Sequence, residues 1–202
     1  MIDLASIKVL FTDVGGVLLS NGLDTALRRN LAIHFALDSS EIEERHQMVF
    51  NDFEKGWLTF DDYLAHVIFF KPQNFSPETA KSYILGQSTE YPAMIGLLKR
   101  LKQQYKLKIA VLSNEGREIA QYRFKKFHFD SFIDYYIVSC DIGMRKPDSR
   151  VFQMALGLCQ VKASKVLYID DRAQHIEAAQ RLGFQTICHR SYEQTCAELT
   201  NG

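Results

Sequence analysis

Cysteine, proline and net charge are all in short supply in this chain, and each shortage removes a class of protein. The four cysteines, Cys140, Cys159, Cys188 and Cys196, form no CxxC pair and have no histidine at zinc spacing. That excludes a disulfide framework and a structural zinc site; reduced, mostly buried thiols in a cytoplasmic protein are expected instead. Lysine and arginine total 24 against 24 aspartates and glutamates, so neither a broad nucleic-acid footprint nor a polybasic membrane surface is expected. No apolar run approaches the ~20 residues of a membrane-spanning helix. The opening MIDLASIKVLF lacks a basic leader, a long apolar stretch and a small-residue cleavage site, so export by a signal peptide is not expected. With 4 prolines, 11 glycines and no repeat, collagen-like and disordered classes fall away too. What remains is 202 residues, 47% hydrophobic and 24% charged, enough to bury about 70% of the unfolded surface around one substantial core.

Short apolar runs at 8–12, 108–112, 135–139, 165–169 and 185–189 are rich in β-branched and aromatic residues. They are continuous rather than alternating, as in strands buried on both faces. Helical patterns separate them. Pro92 opens one with Met94, Leu97, Leu98 and Leu101 on a single face, and others cover 118–126, 148–159 and 173–182, the last stopped by Gly183. This alternation predicts an α/β fold, a Rossmann-like parallel sheet with helices on both faces. Residues 22–91 break the rhythm with four helical patches at 23–35, 40–51, 59–70 and 77–86 and no strand. Ser39 or Ser40 is the expected cap of the second patch, and Ser76 before Pro77 that of the fourth. Some seventy residues far exceed a simple crossover of roughly a dozen, so the expected division is a core of 1–21 and 92–202 with an inserted helical unit of 22–91.

Four loops follow strand ends, the edge where open α/β sheets bind ligands. They carry Asp13-Val-Gly15-Gly16, Ser113-Asn114, Gly143-Met-Arg145-Lys146-Pro147-Asp148 and Asp170-Asp171-Arg172. Singly, the first three also suit plain structural uses: a turn aspartate, a helix cap, a pair of solvated cations. The adjacent carboxylates Asp170 and Asp171 at the end of a buried strand are the exception, being costly unless paired or metal-bound.

Together, and in this order, the four loops resemble the motifs of the haloacid-dehalogenase-like superfamily. The strings VLSN, GMRKPDSRVF and YIDDRAQHIEAAQRLG look closest to its branch of glucose-1-phosphate phosphatases and epoxide-hydrolase phosphatase domains. The resemblance spans nearly the whole chain and makes 22–91 similar to a C1-type helical cap. It implies Asp13 as the nucleophile that forms an aspartyl-phosphate, and Ser113 with Asn114 beside the phosphoryl oxygens. Lys146 would serve as the neutralising cation, and Mg²⁺ would be held by Asp13, the Gly15 carbonyl, Asp171, and Asp170 directly or through water. The strand order it implies sets the first and fourth strands side by side. Position 15 departs from the family, whose usual Asp-x-Asp supplies the general acid/base with its second aspartate. His175 stands where many members have another acid and is read as ordinary packing.

The aromatics Phe50, Phe53, Trp57, Phe60, Phe69 and Phe70 read mainly as core of the helical unit. Trp57, after the turn Glu54-Lys55-Gly56, is a candidate to close over substrate, and Lys55 is taken as solvated. His34, His46, His66, His128 and His189 show no ligand spacing. The resemblance thus implies an enzyme, a Mg²⁺-dependent phosphatase of a small phosphorylated metabolite such as a sugar phosphate. The alternatives are a dehalogenase or phosphonate-cleaving hydrolase, and a phospho-ligand-binding or protein-partner member weakened at Gly15. No nucleic-acid or membrane partner is expected; monomer and homodimer both stay open.

Overall fold

The computed structural model describes residues 2–200. Five strands form one parallel sheet in the order β3-β2-β1-β4-β5: β1 Val9–Thr12, β2 Lys108–Ser113, β3 Tyr135–Val138, β4 Val166–Asp170 and β5 Gln185–Cys188. Each expected strand is present within a residue or so. The continuous apolar runs exist because both sheet faces are covered. Leu10, Ile109, Val111, Leu167 and Ile169 point to one side, and Phe11, Ala110, Leu112, Tyr168 and Ile137 to the other. β1 lies between β2 and β4, with Phe11 level with Ala110 and Tyr168. The first and fourth strand ends are therefore neighbours.

Between β1 and β2 the chain forms α1 Thr25–His34, α2 Ser39–Glu54, α3 Phe60–Val67, α4 Pro77–Gly86 and α5 Pro92–Tyr105. The first four share a separate apolar cluster that includes Leu31, Ile42, Phe53, Tyr63, Leu64 and Ile84. From the sheet layer it is joined by Ile119. None of the described strands comes from 22–91. The two connections run side by side: Ser20 N–H donates to the Thr89 carbonyl (2.8 Å) and Tyr91 N–H to that of Leu18 (2.8 Å).

After β2 come α6 Arg117–Lys126, the short α7 Ser139–Ile142, α8 Ser149–Leu158, α9 Ala173–Arg181 and α10 Tyr192–Thr200. Two expectations need correction here. Asp38, not Ser39 or Ser40, caps α2, its carboxylate accepting from Ser40 N (2.9 Å) and Glu41 N (3.0 Å); an anion at the positive helix end is favoured over a neutral hydroxyl. Ser76 does cap α4. Of the four free cysteines only Cys140 is fully buried, because the other three sit at the partly exposed margins of the layers.

Candidate active site

Every motif residue falls at the carboxyl edge of the sheet. Asp13 follows β1, Ser113 ends β2, Lys146 lies in the α7–α8 loop and Asp170 ends β4. Lys146 is the centre of the arrangement. Only 1% exposed, its Nζ stands 3.1 Å from Asp13 Oδ2 and 2.7 Å from Asp170 Oδ2. Burial alone would lower the lysine pKa, but the two carboxylates outweigh it and raise it, so the ammonium stays charged. Asn114 fixes the lysine's backbone from both sides: Nδ2 donates to the Lys146 carbonyl (3.0 Å) and Lys146 N–H donates to Oδ1 (2.8 Å). That side chain was expected to contact phosphate; both its polar atoms are instead used to position Lys146.

The three aspartates have different surroundings. Burial pushes Asp170 up, but Lys146 and His175 more than offset this and hold it well below the usual carboxylate range. Its oxygens also accept from the Tyr168 hydroxyl, from Arg172 N (2.8 Å) and from His175 Nδ1 (3.1 Å). Asp13, whose Oδ1 accepts from Val14 N (2.7 Å), is pushed upward by burial, against Lys146 and with added repulsion from Asp170. Asp171 is pushed upward by burial, then by Asp13 and Asp170. Its Oδ1 is buried without a hydrogen-bond partner among the described residues.

Asp13, Asp170 and His175 bring ligand-type atoms within 4.8 Å of one another. Asp170 has the least room left for a cation, because Lys146, Tyr168, Arg172 N and His175 share its two oxygens, whereas Asp13 meets only Val14 N and Lys146. The orphaned Asp171 oxygen is the one that lacks a positive partner. Gly16, at φ 73°, lies so close to the Asp171 carboxylate that a Cβ there would collide with it. Gly16 is thus what lets the β1 loop approach that carboxylate. The positive φ belongs to Gly16, not Gly15.

A cavity of about 80 Å³ opens above these groups. The sheet layer lines it with Asp13, Gly15, Ser113, Glu115, Arg145, Arg172 and His175, and the helical layer with His46, Phe50, Phe53 and Glu54. Sequence reasoning missed several of these. His175 is a buried partner of Asp170 rather than packing alone. Arg145 reaches across to α2, where it meets Glu54 (2.5 Å), Asn51 and the Phe50 ring (4.5 Å). Its one visible signal was its place beside Lys146. His46 was passed over for want of ligand spacing; its Nδ1 meets the Tyr63 hydroxyl (2.8 Å), and burial chiefly lowers its pKa to about 4. Glu115 pairs with buried Arg123 (2.7 Å). Trp57 is 63% exposed, its ring beside Lys55 Nζ at 4.5 Å. Neither lines the cavity, because the turn after α2 packs on α7 instead, with Gly56 against the Cys140 backbone and Trp57 Nε1 near Gly143.

A parallel sheet that gathers a lysine-bridged pair of aspartates at its carboxyl edge, beneath a helical layer, has the build of an α/β enzyme whose site lies at that edge. The chain belongs to the haloacid dehalogenase-like hydrolase family, whose model matches residues 7–183. It is 24% identical over 192 residues to flavin mononucleotide hydrolase 1 of Arabidopsis thaliana, covering 92% of this chain and 76% of that protein. It is 22% identical over 202 residues to D-ribitol-5-phosphate phosphatase of Bacteroides thetaiotaomicron, covering 96% and 97%. A crystal structure of a family enzyme from the same bacterium, in complex with magnesium and inorganic phosphate, superposes with a TM-score of 0.75 at 22% identity, covering 91% of this chain and 94% of that one.

Proposed function

We propose that the protein is a Mg²⁺-dependent phosphatase of a small phosphorylated metabolite. The observation that carries this reading is the buried Asp13–Lys146–Asp170 bridge beside the orphaned Asp171 oxygen. The bridge is a nucleophile with its countercharge in place, and the orphan is a carboxylate that lacks a cation. Hard carboxylate oxygens suit Mg²⁺; Asp13, Asp171 and the Gly15 carbonyl would hold it. When bound, the ion supplies positive charge against the phosphoryl oxygens.

Asp13 attacks phosphorus, the bond to the ester oxygen breaks, and an aspartyl-phosphate forms. Lys146 offsets the charge spread over the transferring group, and the Ser113 hydroxyl donates to it. Water then attacks phosphorus and regenerates the carboxylate, releasing inorganic phosphate. A dehalogenase would need no cation at Asp171, which favours the phosphatase reading over that alternative.

The substrate class follows from size and lining. About 80 Å³ is well below the ~300–1,000 Å³ of ordinary ligand pockets. It suits phosphate on a short polyol or sugar far better than on a flavin nucleotide. In this reading residues 22–91 act as a cap that swings aside to admit the substrate. The test is phosphate release from a panel of sugar, polyol and nucleotide phosphates with and without Mg²⁺, on the native protein and Asp13→Asn. Expected are Mg²⁺-dependent turnover of the small esters and none by the folded variant. No release from any ester, or undiminished turnover by Asp13→Asn above a mock-purified control, overturns the proposal.

A further inference from the structure

Breaking a phosphate ester leaves an oxygen that gains negative charge, and some group must meet it. In an in-line displacement that oxygen departs on the side of phosphorus opposite Asp13, into the cavity that Gly15 and Asn21 help to line. Two carboxylates on the lining face cations: Glu115 Oε2 is held by Arg123 (2.7 Å), and Glu54 lies 2.5 Å from Arg145. Arg172, also on the lining, is exposed. His46 bonds Tyr63 through Nδ1 and is neutral at ordinary pH. Asn21 is different. It lines the cavity, and no hydrogen-bond partner is found for its amide among the described residues. Its Oδ1 lies 2.8 Å from the point where a Cβ on Gly15 would stand, and a half-turn of the amide puts the Nδ2 donor in the same place. The space a side chain at position 15 would claim is therefore filled from six residues further along the chain.

We propose that Asn21 is a catalytic residue of the phosphatase reaction, its amide occupying the place left open by Gly15 and donating a hydrogen bond to the leaving oxygen. The inference rests on the phosphatase reading above. The amide lowers the energy of the departing oxygen but transfers no proton, because it is not an acid in the working pH range. The alkoxide leaves as the P–O bond breaks, carries both bonding electrons, and takes its proton from water. Esters with weakly basic leaving groups therefore react readily, and alkyl esters depend heavily on the Asn21 hydrogen bond. The same argument gives the substrate preference: sugar 1-phosphates, whose anomeric oxygen is comparatively acidic, over phosphates of primary alcohols.

The experiment compares kcat/KM for p-nitrophenyl phosphate and glycerol 3-phosphate in the native protein, Asn21→Ala and Asn21→Asp, with Mg²⁺ present. Loss of a donor aimed at developing charge costs about 10²-fold or more, so Asn21→Ala is expected to lose about that on the alkyl ester. On the aryl ester, whose leaving oxygen needs little help, the loss should be tenfold or less. Asn21→Asp is nearly isosteric, so it keeps the fold, and its carboxyl can supply the missing proton. It is expected to exceed Asn21→Ala on the alkyl ester by about tenfold or more. Equal losses on both esters in Asn21→Ala, with Asn21→Asp no better on the alkyl ester, would mean a structural role and overturn the proposal. If the native protein hydrolyses neither ester nor any of the panel, the phosphatase reading itself fails and this inference with it.

Discussion

Lys146→Met removes the one cation that holds two buried carboxylates together while keeping the length and packing of the side chain. In the native, metal-free protein the ammonium lies 3.1 Å from Asp13 and 2.7 Å from Asp170, all three groups buried. Breaking such a bridge by deleting one partner costs roughly 3–5 kcal/mol, because the remaining charges stay out of water. At roughly 2–4 °C per kcal/mol for a chain of this size, the melting temperature should fall by about 6–20 °C. The pH dependence is more diagnostic than the size. Asp170 is held low in the native protein. Its contribution is complete above its unfolded pKa of about 3.9 and fades only as pH falls below that. Asp13, already raised by burial, has the opposite sign: its contribution is complete below about 3.9 and is lost as pH climbs toward its folded value. Without Lys146, burial acts on Asp13 without its main opponent and Asp170 keeps only His175 and its neutral donors against burial, so the variant loses stability with rising pH. The stability gap between native and variant should therefore be small near pH 4 and widen toward pH 8. Thermal melts of both proteins in EDTA across that range measure it. A gap that is constant with pH, or a variant as stable as the native protein at pH 8, would refute the bridge as the site's main electrostatic device.

Three further perturbations address the rest of the site. Gly16→Ala places a methyl against the Asp171 carboxylate at a φ of 73°; it should cost roughly 1–3 kcal/mol of stability and weaken Mg²⁺ binding by calorimetry, and unchanged binding would remove Asp171 from the ligand set. Gly15→Asp is crowded only by Asn21 Oδ1, the Asn21 Cα standing at an ordinary 3.5 Å, so Gly15→Asp combined with Asn21→Ala should raise kcat/KM on alkyl phosphates above that of Asn21→Ala alone, by up to the ~10²–10⁴-fold of a general acid; no rise would place the leaving group elsewhere. Arg145→Ala should raise KM for sugar phosphates more than for p-nitrophenyl phosphate, since it frees Glu54 and loosens the α2 wall of the cavity; equal effects on both would make the arginine structural.

The legible and illegible parts of this protein divide along a physical line. The strands were legible because a sheet buried on both faces forces unbroken runs such as residues 166–169. The motif residues could be grouped because parallel strands bring their carboxyl ends to one edge, whatever the distance along the chain. Contacts between layers were not legible. Arg145 and Asn51 are 94 positions apart, and no local pattern links them. Hydrophobicity marked Trp57 as noteworthy but could not tell which way its turn would face. Asn114 illustrates a subtler limit: its type and place were informative, yet only coordinates show its amide spent on the Lys146 backbone. The α10 helix, with three charged or amide residues among Tyr192–Thr200, offered too weak an apolar stripe to stand out.

The paired connections between the helical layer and the sheet have a mechanical consequence. Two segments laced to each other at Leu18–Tyr91 and Ser20–Thr89 form one strap; in the proposed opening, once contacts such as Arg145–Glu54 part, a body on that strap would swing but hardly slide. The strap is bolted on the sheet side, where Arg123 grips the Ser20 carbonyl while holding Glu115. Asn21 is the first residue past that bolt, so it sits at the pivot itself. There a wide rotation of the helices becomes a displacement of well under their own travel, enough to lift the amide from the leaving oxygen and return it to the same place. Opening to release product and disarming the site would then be one movement.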